Sequence, residues 1–473
     1  MIEMRLADVA AVTGGRLHRA GGDVRVTAVE FDSREIAPGG LFVALPGERV
    51  DGHDYAAAAV AAGAAAVLAG REVDAPAVVV PPVARQSGTY LGATDPDGAG
   101  AAVLAALARL AGHSVAALPD TAVVGVTGSS GKTSTKDLLA AVLAPLGPTV
   151  APPGSFNNEL GLPWTALRAD AATRHLVLEF SARGPGHIAQ LAQSVPPRIG
   201  VVLNVGSAHI GEFGSVAAIA AAKGELVEAL PADGTAVLNG DDPAVAAMAA
   251  RTAAKVVTVG RGASADVRAE DVRLDAGRAR FTLVAPSGRA AVELRLVGEH
   301  HVGNALAAAA VALELGGTPD GVAGALSAAA PVSHWRMEVT DRDDGVTVVN
   351  DAYNANVESM RAALAALVAI GEGRRRTWAV LGRMAELGEE SAAAHARVAA
   401  AARKLGVDVL VAVGTGEYPG ARRAASVDEA LALLDTGVAP GDVVLVKASR
   451  SAGLERVAEG LLAGRTGAGL VAQ

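Results

Sequence analysis

The chain has 473 residues, 50 of them acidic and 41 basic, a length that at roughly 150 residues per domain predicts about three cores. The acidic balance and the lack of a basic block argue against a partner that presents a row of phosphates, so the expected partners are small molecules and no nucleic acid. There is no cysteine, which excludes a disulfide framework, a thiolate zinc site and a cysteine nucleophile.

Residues 1–5 lack the basic start and long apolar stretch of a secretory signal, and the Ala-rich runs read as too short or too Gly-broken to span a bilayer. No membrane insertion and a cytoplasmic location are expected. To about residue 85, short β-rich runs surround an Ala-rich helix over 55–62 and end in a strand over 77–80, stopped by Pro81-Pro82, which predicts a small α/β domain over 1–85. Residues 86–98, rich in Gly, Thr, Asp and Pro, read as a linker. A central domain is predicted over 99–331, where apolar strands at 123–126, 176–178 and 201–205 are each followed by a Gly- or Asn-bearing turn and a helix. That is the rhythm of a parallel sheet that takes its ligand at the carboxyl ends of the strands. After a helix over 304–315 and a break near Pro331, strands at 346–350, 378–381, 409–413 and 443–446 alternate with helices, a second doubly wound, Rossmann-like α/β unit over 332–473. The Ala runs between them are helix filler.

The strongest motif is Gly125-Val126-Thr127-Gly128-Ser129-Ser130-Gly131-Lys132-Thr133, after a strand and opening a helix predicted over 134–143. Glycines let backbone N–H groups converge on phosphate oxygens, and the helix N-terminus adds positive potential. Lys132 reaches the terminal phosphates, and the Thr133 hydroxyl is placed to ligate Mg²⁺. Residues Thr127 through Ser134 are therefore the predicted nucleotide cradle; an ordinary strand-turn-helix glycine loop is the bland alternative. Val126 stands where the usual P-loop pattern has its first glycine. Only six of the basic residues are lysine, at 132, 136, 223, 255, 404 and 447, so a retained lysine points to chemistry that arginine does not supply.

Glu179 closes a strand, where a carboxylate faces the crevice of an open sheet and holds a hard cation, or is a solvated strand end. His209, five residues past Asn204, reads as a second cation ligand or as a hydrogen-bonded loop histidine. Lys223 lies on an Ala-rich helix, where a snorkelling surface lysine is the simple alternative.

The form Thr-Gly-Ser-x-Gly-Lys-Thr is that of the Mur ligase family, and the chain resembles this family along its whole length. Asp32-Ser33-Arg34 through Gly39-Gly40-Leu41-Phe42 and Asp51-Gly52-His53 are similar to its UDP-sugar-binding first domain, with Ser33 and Arg34 as substrate residues. Asn157-Asn158-Glu159-Leu160-Gly161-Leu162-Pro163 resembles a loop near the γ-phosphate and the acyl substrate, or is a polar turn before a helix. Lys223 occupies the place of a lysine that the family carbamylates with CO₂. Asn304 matches a residue against adenine, with His301 where asparagine is usual, though a helix cap is also open. Arg336 matches an arginine that reaches the γ-phosphate from the third domain, and Asp351 a carboxylate on the ribose.

The run Asp351-Ala352-Tyr353-Asn354-Ala355-Asn356 resembles the branch that adds D-alanyl-D-alanine, as do Leu381-Gly382-Arg383-Met384-Ala385-Glu386-Leu387-Gly388 and Val446-Lys447-Ala448-Ser449-Arg450. Tyr353, Asn354 and Asn356 are the implied substrate residues there. Ser181 for Gly, Val357 for Pro, Arg383 for an acidic residue and Ala448 for Gly depart from the pattern and bear on acceptor fit. The resemblance implies a monomeric ADP-forming amide ligase acting on UDP-MurNAc-tripeptide and D-Ala-D-Ala with ATP. It further implies two Mg²⁺ ions, at Thr133 and Glu179 and at His209 and carbamylated Lys223. The alternatives are a diaminopimelate- or lysine-adding relative, a folylpolyglutamate synthase-like enzyme, or a P-loop switch without ligase chemistry.

Overall fold

The computed structural model describes residues 1–47, 50–83, 91, 94–206 and 210–464. Among them, Arg16–His18, Ala77–Val79, Ala66–Ala69, Gly40–Val43 and Ala28–Glu30 form a sheet in that order, parallel except for its first pair. Alternation along these strands sends Leu41, Val43, Leu68 and Val78 to a face shared with helices Leu6–Thr13 and Ala99–Ala116, while Phe42, Val67 and Val79 cover Ala56 and Ala59 on the other. The helix expected over 55–62 is a 3₁₀ turn, Gly52–Tyr55, followed by helix Ala56–Ala61. The linker expected over 86–98 lies largely outside the described residues. Its far end is tied down, since Asp95 accepts from Gly100 N and Ala101 N at 2.8 Å each and caps helix Ala99–Ala116.

That helix corrects one expectation: it is long and apolar enough to cross a membrane, yet 61% of it is buried. It packs against helices Leu6–Thr13 and Gly161–Ala166, as a core helix does.

Among the described residues the central sheet has nine strands. From Thr149–Val150 at one edge it runs through His175–Glu179, Ala122–Thr127, Ile199–Val202, Thr235–Asn239 and Lys255–Gly260, all parallel. It then continues into Val267–Asp275, Arg278–Ala285 and Gly288–Val297, which pair antiparallel with one another. Strand order reverses at Ala122–Thr127, and a crevice opens at the carboxyl ends of strands where an open sheet switches direction. The strand predicted over 201–205 stops at Val202, and the helix predicted from 134 starts at Lys132, so Lys132 and Thr133 occupy its first turn.

The C-terminal sheet is ordered Glu338–Asp341, Thr347–Asn350, Val443–Lys447, Thr377–Leu381, Val409–Val413 and Arg422–Ala424, parallel beyond its first pair. Its carboxyl ends face the P-loop, with helix Val357–Gly371 starting beside the cleft.

Candidate active site

The loop after Ala122–Thr127 is pinned from behind. Thr127 is fully buried and its Oγ1 donates to Phe180 O at 2.9 Å, so it fastens the loop to the neighbouring strand and does not face the cleft. Asn204 brackets Ser130, accepting from its N–H at 2.9 Å and donating Nδ2 to its carbonyl at 3.1 Å, and Gly206 N donates to Ser129 Oγ at 2.8 Å. Gly131 has φ +82°, and a Cβ there would stand 2.7 Å from Asn304 Oδ1, so both backbone and space require glycine. Lys132 Nζ donates to Gly128 O at 2.6 Å, and burial brings its ammonium down to about 8 against the pull of Glu179.

Glu179 ends its strand fully buried. Its Oε2 accepts from Thr133 Oγ1 at 3.3 Å, Ser155 Oγ at 3.4 Å and Asn157 Nδ2 at 3.4 Å, and among the described residues its Oε1 has no hydrogen-bond partner. Burial raises the carboxyl pKa, opposed by Lys132, Lys136 and Arg336. A buried carboxylate with an orphaned oxygen beside a hydroxyl is short of a cation, and oxygen donors suit Mg²⁺. Among the described residues no three His, Asp or Glu side chains gather into a metal cage. The fit therefore rests on Thr133 and Glu179, with other positions left for phosphate and water, as Mg²⁺ prefers. His209, the other expected ligand, lies outside the described residues.

Lys223 is buried on helix Val216–Glu228, and burial, with repulsion from Lys132, pushes its ammonium well below the usual lysine range. The helix that carries it is tied down by its neighbours. Arg251 lies over Gly224 and donates to Ala220 O at 3.2 Å and Ala221 O at 2.9 Å. Glu225 accepts from Gly186 N at 2.6 Å and Ala189 N at 3.0 Å, capping helix His187–Ser194.

The far wall comes from the C-terminal sheet. Arg336 Nη2 donates to Thr133 Oγ1 at 3.3 Å, and its guanidinium lies 4.2 Å from the Tyr353 ring centre. Asp351 accepts from Met337 N at 3.1 Å and from Lys447, which also donates to Asn354 O at 2.8 Å. Asn356 caps helix Val357–Gly371 through Ser359 N at 2.9 Å and donates Nδ2 to Ser129 O at 3.4 Å, crossing between the two walls. Val357 stands at the first helical position, where proline's missing N–H and fixed φ are suited but not needed. The Ala448 methyl fills the buried space against Gly382. Arg383 is exposed, and Ser181 lines the cleft.

The walls enclose about 350 Å³. Ser129 to Ser134, Asn157, Asn304, Arg336, Asp351, Tyr353, Asn354 and Asn356 all line this space. Ser33 and Arg34 do not: they line a separate pocket of about 550 Å³ with Phe42 and Tyr55, Arg34 held to Asp32 at 2.6 Å. An aromatic cluster of Phe31, Phe156 and Trp164 joins the loops of that pocket to the central domain. Asn158 lines neither; its Oδ1 accepts from Leu160 N at 3.3 Å and Gly161 N at 2.9 Å, a local turn. Ser155, Arg183, Glu358 and Ser359 line the cleft outside every motif, whereas Glu386 belongs to a resembling run and His300 adjoins His301. Lys447 was visible only as a rare lysine within a resembling run.

Three family models match the chain: "Mur ligase middle domain" over 126–312, "Mur ligase, glutamate ligase domain" over 335–450, and "Mur ligase family, catalytic domain" over 25–114. The UDP-N-acetylmuramoyl-tripeptide--D-alanyl-D-alanine ligase of Mycobacterium tuberculosis (strain ATCC 25618 / H37Rv) is 55% identical, over 98% of this chain and 99% of that one. The chain belongs to the Mur ligase family. This Mur ligase is also 34% identical to the ligase of the same name from Escherichia coli (strain K12), over 98% and 99%. Among solved structures it is similar to MurF from Acinetobacter baumannii, with a TM-score of 0.84 and 29% identity over 98% and 99% of the two chains. A MurF ligase from Thermotoga maritima, solved in complex with ADP, matches with a TM-score of 0.77 and 30% identity over 92% and 96%.

Proposed function

We propose that this Mur ligase joins D-alanyl-D-alanine to UDP-N-acetylmuramoyl-tripeptide, forming ADP and phosphate, in the cytoplasmic stage of peptidoglycan precursor synthesis. The substrates follow from the names of relatives that match end to end. The observation that carries the chemistry is the meeting of Arg336 with Thr133 at 3.3 Å, beside the unpartnered oxygen of Glu179. A guanidinium from one domain and a P-loop hydroxyl from another converge where the terminal phosphate of ATP would end.

In this reading the backbone of Ser129–Thr133 and the ammonium of Lys132, released from Gly128 O, grip the triphosphate. Arg336 bears on the γ-phosphate as a tripeptide carboxylate oxygen bonds to its phosphorus and ADP leaves. The amine of D-Ala-D-Ala, having lost its proton, then bonds to the acyl carbon and phosphate leaves. Thr133 and Glu179 would hold Mg²⁺, which supplies charge neutralisation between the two anions. Lys223, whose charged form burial disfavours, is the amine that would take up CO₂ as a carbamate, and His209 with the carbamate oxygens would hold a second cation. Asn304 and Asp351 face the base and ribose, and Ser33 and Arg34 the uridine diphosphate. Closure of the two walls excludes water from the acyl phosphate.

The test supplies purified protein with UDP-MurNAc-tripeptide, ATP, Mg²⁺ and a panel of amines. The expected product is the new amide with D-Ala-D-Ala by mass. Amide formed only with diaminopimelate, lysine or glutamate, or ATP hydrolysis independent of acyl substrate and amine, would reject the assignment.

A further inference from the structure

Lys136 is 1% exposed on the P-loop helix, four residues beyond Lys132, and the chemistry above makes no use of it. Its Nζ donates to Pro152 O at 2.9 Å, to Ser333 Oγ at 3.4 Å and to the adjacent Asp137 carboxylate, whose other oxygen accepts from Ser333 N at 3.3 Å. Three acceptors set around one nitrogen suit a compact ammonium and not a planar guanidinium, which explains a lysine in a chain that otherwise prefers arginine. The result is a clasp between the P-loop helix and the strap that leads from the central sheet into the C-terminal one.

That strap carries Arg336 between two strained residues. Trp335 and Met337 have φ of +57° and +50°, left-handed conformations that non-glycine residues rarely adopt and that persist only where surroundings hold them. On the downstream side the holders are Glu338, which accepts from Trp335 N at 3.1 Å, Asp351, which accepts from Met337 N at 3.1 Å, and Arg450, 4.0 Å from the Trp335 ring centre. All three belong to the C-terminal domain. On the upstream side, ahead of the bond from Arg336 itself to Thr133, the strap is tied to the P-loop helix by the clasp at Ser333.

We propose that Lys136 and Asp137 are positioning residues for Arg336: by fastening Ser333 to the P-loop helix they set where the guanidinium stands against the phosphate end of the site. This rests on the reading that Arg336 bears on the γ-phosphate.

The test is a double-mutant cycle in the full-length protein with Lys136→Met, Arg336→Ala and the pair, reading kcat, KM for ATP and UDP-MurNAc-tripeptide, and melting temperature. Arg336→Ala is expected to lower kcat by about 100-fold. Lys136→Met is expected to lower kcat by about tenfold with KM for the tripeptide unchanged, and by less than about twofold once Arg336 is gone. An undiminished kcat in Lys136→Met, or the same tenfold loss in both backgrounds, overturns the clasp while leaving Arg336 in place. Wild-type turnover by Arg336→Ala overturns both readings. Where Lys136→Met melts below the assay temperature, Asp137→Asn with Ser333→Ala carries the same cycle, since the buried ammonium then keeps Pro152 O.

Discussion

Lys447 Nζ sits 2.5 Å from Asp351 Oδ2, both side chains nearly hidden from solvent at the base of the cleft. Removing one partner of such a pair strands the other charge, which costs more than the pair itself contributes. Lys447→Met is expected to lower unfolding free energy by about 3 kcal/mol, and Asp351→Asn in the same chain to restore most of it. Urea denaturation of the two variants checks this, and equal losses in single and double variants would refute it.

Glu179 and Thr133 supply the described oxygens suited to a cation. Glu179→Gln removes the charge and keeps the shape, so the Mg²⁺ concentration for half-maximal turnover is expected to rise by at least about tenfold, with Thr133→Val a smaller effect in the same direction. Titrating Mg²⁺ at fixed ATP measures both. An unchanged requirement in Glu179→Gln would remove it from the cation site.

Lys223→Arg keeps a cation but cannot form a carbamate, because a guanidinium hardly deprotonates. Amide formation is expected to fall by more than about 100-fold while far-UV circular dichroism stays unchanged. In the protein with Lys223 intact a ¹³CO₂-dependent carbamate resonance is expected and should vanish in the variant. Near-normal turnover would take Lys223 out of the mechanism.

His301 is buried, its Nε2 without a hydrogen-bond partner among the described residues, and burial with the adjacent His300 pushes its pKa well below the ordinary histidine value. In the unfolded chain the ring takes up a proton near its usual pKa of about 6.5, before the folded protein does. Its contribution to stability is therefore full above that pH and is lost as pH falls below it, with a slope approaching about 1.4 kcal/mol per pH unit. Denaturation at pH 7.5 and 5.5 should show this acid loss, smaller in His301→Asn. An equal loss in the variant would assign it to other groups.

Much of the site was legible because its chemistry is local in sequence. The glycines with Gly131-Lys132-Thr133 between a strand and a helix mark a phosphate loop, and Glu179 closes a neighbouring strand, where it is buried against Thr133. Arg336, Asp351 and Asn356 were legible only through resemblance, since nothing local tells that residues some 200 positions beyond the P-loop meet it. Lys136 was flagged by its rarity, but its partner Ser333 belongs to a connecting segment without a pattern. Asn158 closes its own turn, the alternative the sequence leaves open, because such a side chain looks, in sequence, like one that meets a ligand. The antiparallel strands Val267–Asp275, Arg278–Ala285 and Gly288–Val297 were overlooked, although apolar residues alternate along Gly288–Val297 and Gly-bearing turns divide the three.

The bond from Asn356 to Ser129 and that from Lys447 to Asp351 join parts of the polypeptide made far apart in time. During synthesis the P-loop leaves the ribosome while the opposing wall is still untranslated. A nascent chain thus carries a phosphate cradle long before it carries Arg336 and Lys447, and a half-made molecule has no complete machinery with which to waste ATP.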